Sequence, residues 1–303
     1  MKKGADAEKF WWPVPFTRAL GLAWIDLDAG TVSLRLPFCN GVGNAAGAVD
    51  ARAIMAALDH ASSAALFAAL GRPAPIATLD LRVAFARPVP PASDILLSAH
   101  ASHVDETVAQ ITATARAASS GLAVASATAA FFLGASPGGT RGNPAGERRH
   151  NEVPGTFHAE SAQQFASFDA FLGLDAVPDG TPAGVEGDAQ RGAPDRSQHR
   201  VQSIVQMHFA DRLVGAVALP ALHGGVVAAL LATAAARLVA GESARRLAAI
   251  SVQYLRAAKT ETAVACAGFD KRGARANMVS VSASQGQGAR EVARAQCVFV
   301  AGA

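Results

Sequence analysis

Cysteine is scarce in this sequence, and the few present are badly placed for cross-linking or metal binding. Cys39, Cys266 and Cys297 are odd in number and lack Cys-x-x-Cys spacing, so neither a disulfide framework nor a zinc site is expected. A reducing, cytoplasmic setting is the default for such a chain. No lysine and arginine run and no basic-aromatic interleaving occurs, which argues against a nucleic-acid partner. The formal charge of +3 is mild and suits a small anionic ligand. Lys2 and Lys3 are followed by Gly4-Ala5-Asp6-Ala7-Glu8-Lys9, so no signal-peptide core is expected. The segment Val226–Ala240 is apolar apart from Arg237, but it would extend about 22 Å against a bilayer core of ~30 Å. It is expected to be a buried helix, with no membrane partner.

What is present is a core. Half of the 303 residues are hydrophobic and 17% are charged, enough for two ordinary domains or one large one. An alanine-rich helix opening on His223-Gly224-Gly225 has an earlier counterpart that begins at Asp50. Nine residues after His223 stands Ala232; nine after Asp50 stands an acid, Asp59. Three further correspondences recur in the same order. Phe16–Leu22 matches Phe168–Leu174, Leu81–Arg87 matches Ile250–Arg256, and Val124–Ala127 leading to Phe131 matches Val292–Ala295 leading to Phe299. Four matches in register point to a duplication.

Within each half the pattern changes period. Val32–Leu36 and Val205–Phe209 alternate as half-buried strands do. After the first helix come Leu79–Phe85, Ile95–His103 with Thr107–Arg116, and Ala123–Leu133, all alternating. Strands joined by short turns imply an antiparallel sheet with one apolar helix on its face, an α+β class. Residues 136–156 have linker chemistry, which divides the chain into repeats at 1–135 and 157–303. The stretch 177–199 has no counterpart in the first half and reads as an inserted loop.

His-Gly-Gly followed by an acid, with Asn-x-x-Gly before it, resembles the hotdog-fold thioesterases, especially the phenylacetate-pathway type. Asn44-Ala45-Ala46-Gly47 reproduces the Asn-x-x-Gly part, but meets Asp50-Ala51-Arg52 where His-Gly-Gly belongs. The second half has His-Gly-Gly, with Val217-Ala218-Leu219-Pro220 in place of Asn-x-x-Gly. Phe85-Ala86-Arg87-Pro88 matches the family's trailing Phe-x-Arg-Pro, and Tyr254-Leu255-Arg256-Ala257 matches it less well. The resemblance implies a double hotdog: two antiparallel sheets, each wrapped around a long central helix, forming a pseudo-dimer within one chain. Association of that pseudo-dimer with further copies is left open.

Thioester hydrolysis needs a base or nucleophile on one side of the carbonyl carbon and donors for the oxyanion. The free N–H groups at a helix N-terminus are ready-made donors, which singles out Gly224, with Gly225 beside it. Gly224 and Ala232 lie about 12 Å apart along one helix, too far for both partners of a single carbonyl. The acid must come from a neighbouring antiparallel helix, and Asp59 on the first-half helix is that acid. The reciprocal pairing sets Asp50-Ala51-Arg52 against Ala232, which predicts one live site and one vestigial one.

Further candidates are His223 at the acyl entrance and Ser63, one turn after Asp59, where related thioesterases carry a hydroxyl. Ser62, Asn44 and, as phosphate partners for coenzyme A, Arg87 and Arg256 complete the set. No metal is expected, and no cofactor beyond the coenzyme A of the substrate. The function read from these residues is acyl-CoA thioesterase. A non-catalytic acyl-CoA-binding protein is the alternative. A hydratase or dehydratase ranks lower, because it needs a histidine in the same cleft and lacks its own motif here. His60 follows Asp59 directly and is expected on a different helix face.

Overall fold

Two apolar helices form the centre of the computed structural model, which describes residues 14–28, 30–134, 160–176, 203–216, 220–240 and 245–301. The expected linker and the inserted loop lie outside those residues, as do Val217, Ala218 and Leu219. Helix α1 is Pro15–Leu20, α2 is Ala51–Leu70, α3 is Phe168–Leu172 and α4 is Gly224–Val239. Asp50 caps α2, its side chain accepting the Arg52 N–H, and Gly71 closes that helix in the left-handed conformation. In α2 every residue from Ala53 to Ser62 is buried, which explains why the helix shows little amphipathic contrast. By length and composition α2 could cross a bilayer. Most of it is instead enclosed by strands and by α4.

The first half contributes β1 (Ala23–Asp28), β2 (Thr31–Leu36), β3 (Ile76–Phe85), β4 (Ile95–Val104), β5 (Val108–Ala117) and β6 (Ala123–Leu133). The second contributes β7 (Leu174–Ala176), β8 (Ser203–Met207), β11 (Arg245–Tyr254), β12 (Ala263–Lys271), β13 (Ala276–Gln285) and β14 (Arg290–Ala301). A small hairpin, β9 (Val214–Ala216) with β10 (Ala221–Leu222), precedes α4. Alternation sets the faces. In β5, Ala109, Ile111, Ala113 and Ala115 are buried against the helix layer, while Gln110 and Thr112 point outward.

The expectation of two separate sheets is corrected. All twelve strands form one antiparallel sheet in the order β1-β2-β4-β5-β6-β3-β11-β14-β13-β12-β8-β7. The seam is the β3–β11 pair, in register from Ala84–Ala249 to Asp80–Gln253. Two sheets would each have left a ten-residue edge with unpaired N–H and C=O groups; the pairing covers five residues of each, Asp80–Ala84 and Ala249–Gln253. The order reads the same from either end once β1, β2, β4, β5, β6 and β3 are exchanged for β7, β8, β12, β13, β14 and β11. A bulge recurs too: β3 shifts register between Thr78 and Asp80, and β11 shifts between Leu247 and Ala249.

Candidate active site

Helices α2 and α4 cross antiparallel through their small residues. Asp59 faces Gly224, Ala56 faces Gly225, and Arg52 meets Thr233, so positions fall along one helix as they rise along the other. Contact is closest at Gly225, where a β-carbon would stand 2.5 Å from the Ala56 Cα. A β-carbon on Gly224 would stand 2.9 Å from Asp59 Oδ2. These two glycines therefore admit the partner helix and its carboxylate respectively.

His223 caps α4. Its Nδ1 accepts the Gly225 N–H at 3.0 Å, which assigns the ring proton to Nε2. The same nitrogen lies 3.4 Å from Asp59 Oδ2. Phe16 of α1 covers the imidazole at 4.6 Å between ring centroids, and Gly215 of β9 closes against its backbone. His60 also turns its ring toward His223, at 5.7 Å, and so lies nearer the site than its neighbour-in-sequence position suggested. Both histidines are buried; burial lowers the pKa of His223 to about 3 and holds His60 well below its ordinary range.

Asp59 is 3% exposed, and its Oδ1 finds no hydrogen-bond partner among the described residues. Burial raises its pKa to about 7, against the opposing pull of the Gly225 N–H and the Thr78 hydroxyl. A carboxyl poised there can exchange a proton near neutrality. Gly224 is the first residue of α4, so its N–H has no partner within the helix and points out of the N-terminus.

Two site residues were not anticipated. Thr78 enters because the β3 bulge aims it inward beside Gly224, its Oγ1 3.5 Å from where a Gly224 β-carbon would stand. Strict alternation through Leu79 hides a bulge, so nothing in the sequence announced it. Tyr254, at the end of β11, donates its hydroxyl to the Gly224 carbonyl at 3.0 Å. The signal available for it was that it is the only tyrosine in the chain and stands where the repeat has Phe85.

The other candidates lie elsewhere or are engaged locally. Ser63 donates to the His60 carbonyl and Ser62 to the Leu58 carbonyl, each at 2.8 Å. Asn44 is exposed and shapes its own loop, accepting the Ala46 and Ala48 N–H groups. Arg87 is exposed after β3, and Arg256 donates to the Glu291 carbonyl at 2.6 Å. Among the described residues no three His, Cys, Asp or Glu side chains converge as a metal site would require.

At the opposite end of the helix pair the corresponding positions hold different chemistry. Arg52 occupies the place of Gly225. It pairs with Asp50 at 2.7 Å and Asp169 at 2.6 Å, bonds Thr233 at 2.8 Å, and lies over the Phe168 ring. Burial opposes its charge, yet Asp50 and Asp169 hold its pKa above the ordinary value. Ala232 stands for Asp59, Leu247 for Thr78 and Phe85 for Tyr254.

Known families match the chain in both halves. Residues 53–124 match the thioesterase superfamily, and residues 215–300 match the acyl-CoA thioesterase N-terminal domain. Both matched segments are thioesterase-family segments. Among solved structures, a hot dog fold protein of Alicyclobacillus acidocaldarius aligns at a TM-score of 0.59 and 15% identity. It covers 95% of this chain and 98% of its own. An acyl-CoA thioesterase II from Mycobacterium marinum aligns at 0.55 and 12% identity, covering 94% and 96%. A tesB protein from Mycobacterium avium subs paratuberculosis gives 0.58, 12%, 94% and 97%. At such identities the likeness is one of hotdog fold. No curated protein matches the sequence.

Proposed function

We propose that the chain is an acyl-CoA thioesterase made by tandem duplication of a hotdog, with one working site shared between its halves. The observation that carries the reading is the carboxylate of Asp59 on α2 facing Gly224 at the N-terminus of α4. The thioester carbonyl would direct its oxygen at the Gly224 N–H, where the helix dipole favours the developing oxyanion. Asp59 would take a proton from an attacking water, or attack the carbonyl itself, expelling the coenzyme A thiolate to leave a mixed anhydride. Water then opens the anhydride, freeing the acid and the Asp59 carboxylate, and the proton released goes to the thiolate. In the water route the tetrahedral intermediate collapses with loss of the coenzyme A thiolate, which recovers the proton from Asp59. Thr78 steadies the carboxylate, while His223 fixes the Gly225 N–H and walls the site. The reading needs no metal or redox cofactor.

Support for a single site comes from the systematic difference between the two ends of the helix pair. The Asp59 carboxylate and the Thr78 and Tyr254 hydroxyls each have an apolar counterpart at the other end, and a paired arginine fills the place of Gly225. The close approach of His223 to Asp59 also offers the acid and imidazole that a hydratase needs. Its burial and its bond from Gly225 leave it a poor proton carrier, which favours hydrolysis.

The test is thiol release from a panel of aryl-, short- and long-chain acyl-CoAs by the wild-type protein and by Asp59→Asn, with hydration of an enoyl-CoA followed in parallel. Thiol release abolished by the substitution is the expected result. Release unaffected by it would sink the site assignment. Binding without turnover in the wild type would favour the non-catalytic acyl-CoA binder, and hydration without thiol release the lyase.

A further inference from the structure

Tyr254 does something that neither helix does. Its hydroxyl is the only described side-chain donor to a carbonyl in the first turn of α4, and it reaches Gly224 from the sheet at 3.0 Å. The carbonyl of Gly224 belongs to the same peptide unit as the N–H of Gly225. That N–H donates to His223 Nδ1 and lowers the pKa of Asp59. A hydrogen bond accepted at a peptide oxygen draws electron density from its nitrogen and strengthens the N–H as a donor. Tyr254 is thus connected to Asp59 through one amide.

The repeat supplies an independent observation. Tyr254 lies seven residues after Leu247, at the end of the bulged strand β11, as Phe85 lies seven after Thr78 in β3. Phe85 is buried and has no hydroxyl to donate. The same framework position therefore holds the ring on both sides and the hydroxyl on one, and that one is the side with Asp59. Packing alone asks only for the ring.

Resting on the thioesterase reading, we infer that Tyr254 is a positioning residue of the active site. It fixes and polarises the Gly224–Gly225 peptide, setting the donor strength that faces Asp59 and the orientation of the helix end that receives the oxyanion. Substrate does not touch it. Its influence falls on turnover and on the proton affinity of Asp59 rather than on acyl-CoA binding.

Tyr254→Phe, which imports the first half's own residue, removes only the hydroxyl. Loss of one neutral hydrogen bond of this kind corresponds to roughly a 3–10-fold fall in kcat. KM should stay within about twofold, and the midpoint of the pH–kcat/KM profile should move to higher pH, because a weaker donor stabilises the carboxylate less. Since Tyr254 is the sole tyrosine, growth on 3-fluorotyrosine alters this position alone. The more acidic phenol is a stronger donor and should move the midpoint the opposite way. Unchanged kcat and midpoint in both proteins, with only a lower Tm for Tyr254→Phe, would reduce Tyr254 to packing and overturn the inference. Asp59 ionisation can also be followed by carboxyl carbon NMR without any turnover. Opposite shifts of that titration in the two proteins would support the coupling even if every acyl-CoA proved inert, an outcome that would remove the thioesterase reading alone.

Discussion

Burying Asp59 should cost stability that the protein recovers when the acid is made an amide. Asp59 has a folded-state pKa raised by burial to about 7, from an ordinary value of 3.8. Below the unfolded pKa both states are protonated and the burial carries no ionisation cost. Between the two values the unfolded chain releases its proton while the folded chain keeps it, so stability falls as pH rises. The loss is complete once pH passes the folded pKa. About three pH units at 1.36 kcal/mol each give an upper figure of about 4 kcal/mol. The amide introduced by Asp59→Asn has no proton to lose, and its oxygen can accept from the Gly225 N–H and Thr78 hydroxyl. Thermal unfolding of both proteins from about pH 4 to about pH 8.5 should give nearly equal Tm values at the acid end. The variant should gain progressively and level off above about pH 7, by roughly 5–10 °C for a chain of this size. A Tm difference independent of pH, or one growing toward acid, would refute the buried, proton-retaining carboxylate.

The remaining predictions concern the helix crossing and its two ends. The kcat/KM of thiol release should rise with pH through about 7 as Asp59 ionises, and a flat profile over roughly pH 6–8 would exclude it as base or nucleophile. Gly224→Ala should lose roughly 100-fold or more in kcat, because its β-carbon meets the carboxylate that must face the carbonyl; steady-state kinetics reads this directly. Gly225→Ala should instead destabilise by about 2 kcal/mol or more, measured by denaturant titration, since its β-carbon meets the Ala56 backbone. Arg52→Met should cost about 2–3 kcal/mol by the same titration, leaving Asp50 and Asp169 uncompensated, with kcat/KM unchanged.

How much of this was legible in the sequence depends on which property each residue expressed. The repeat, the two central helices and the strands after them are written in periodicity and small-residue composition, and the helix caps Asp50 and His223 stand where those patterns begin. Helix rise showed that no single helix brings a donor and an acid that close, and the resemblance to paired hotdogs then named the first-half helix, with Asp59, as the partner of Gly224. Periodicity is blind to pairing between halves, so the joining of β3 to β11 into one sheet was missed. It is equally blind to a bulge, which is why Thr78 went unseen. Ser63 shows a different limit. Helical spacing puts it on the Asp59 face, but a serine can satisfy itself on the preceding turn, and here it donates to the His60 carbonyl.

The two ends of the helix pair explain each other. Under the duplicated-hotdog reading, an ancestral symmetric dimer would bury two carboxylates, two capping histidines and two sets of glycines, and bear the desolvation cost twice. One chain with two unequal halves is free of that symmetry. Ala232 and Leu247 then return to ordinary core residues at the second end. Arg52 ties the start of α2 to Thr233 on α4 and to Asp169 on α3, in a network that a glycine at that position could not make. This predicts an asymmetry of function as well as of stability. Calorimetric titration with a non-hydrolysable acyl-CoA analogue should give one site per chain, abolished by Gly224→Trp and unaffected by Arg52→Met. Two equivalent sites would mean that Arg52 yields to substrate, and that the second end is a binding site after all.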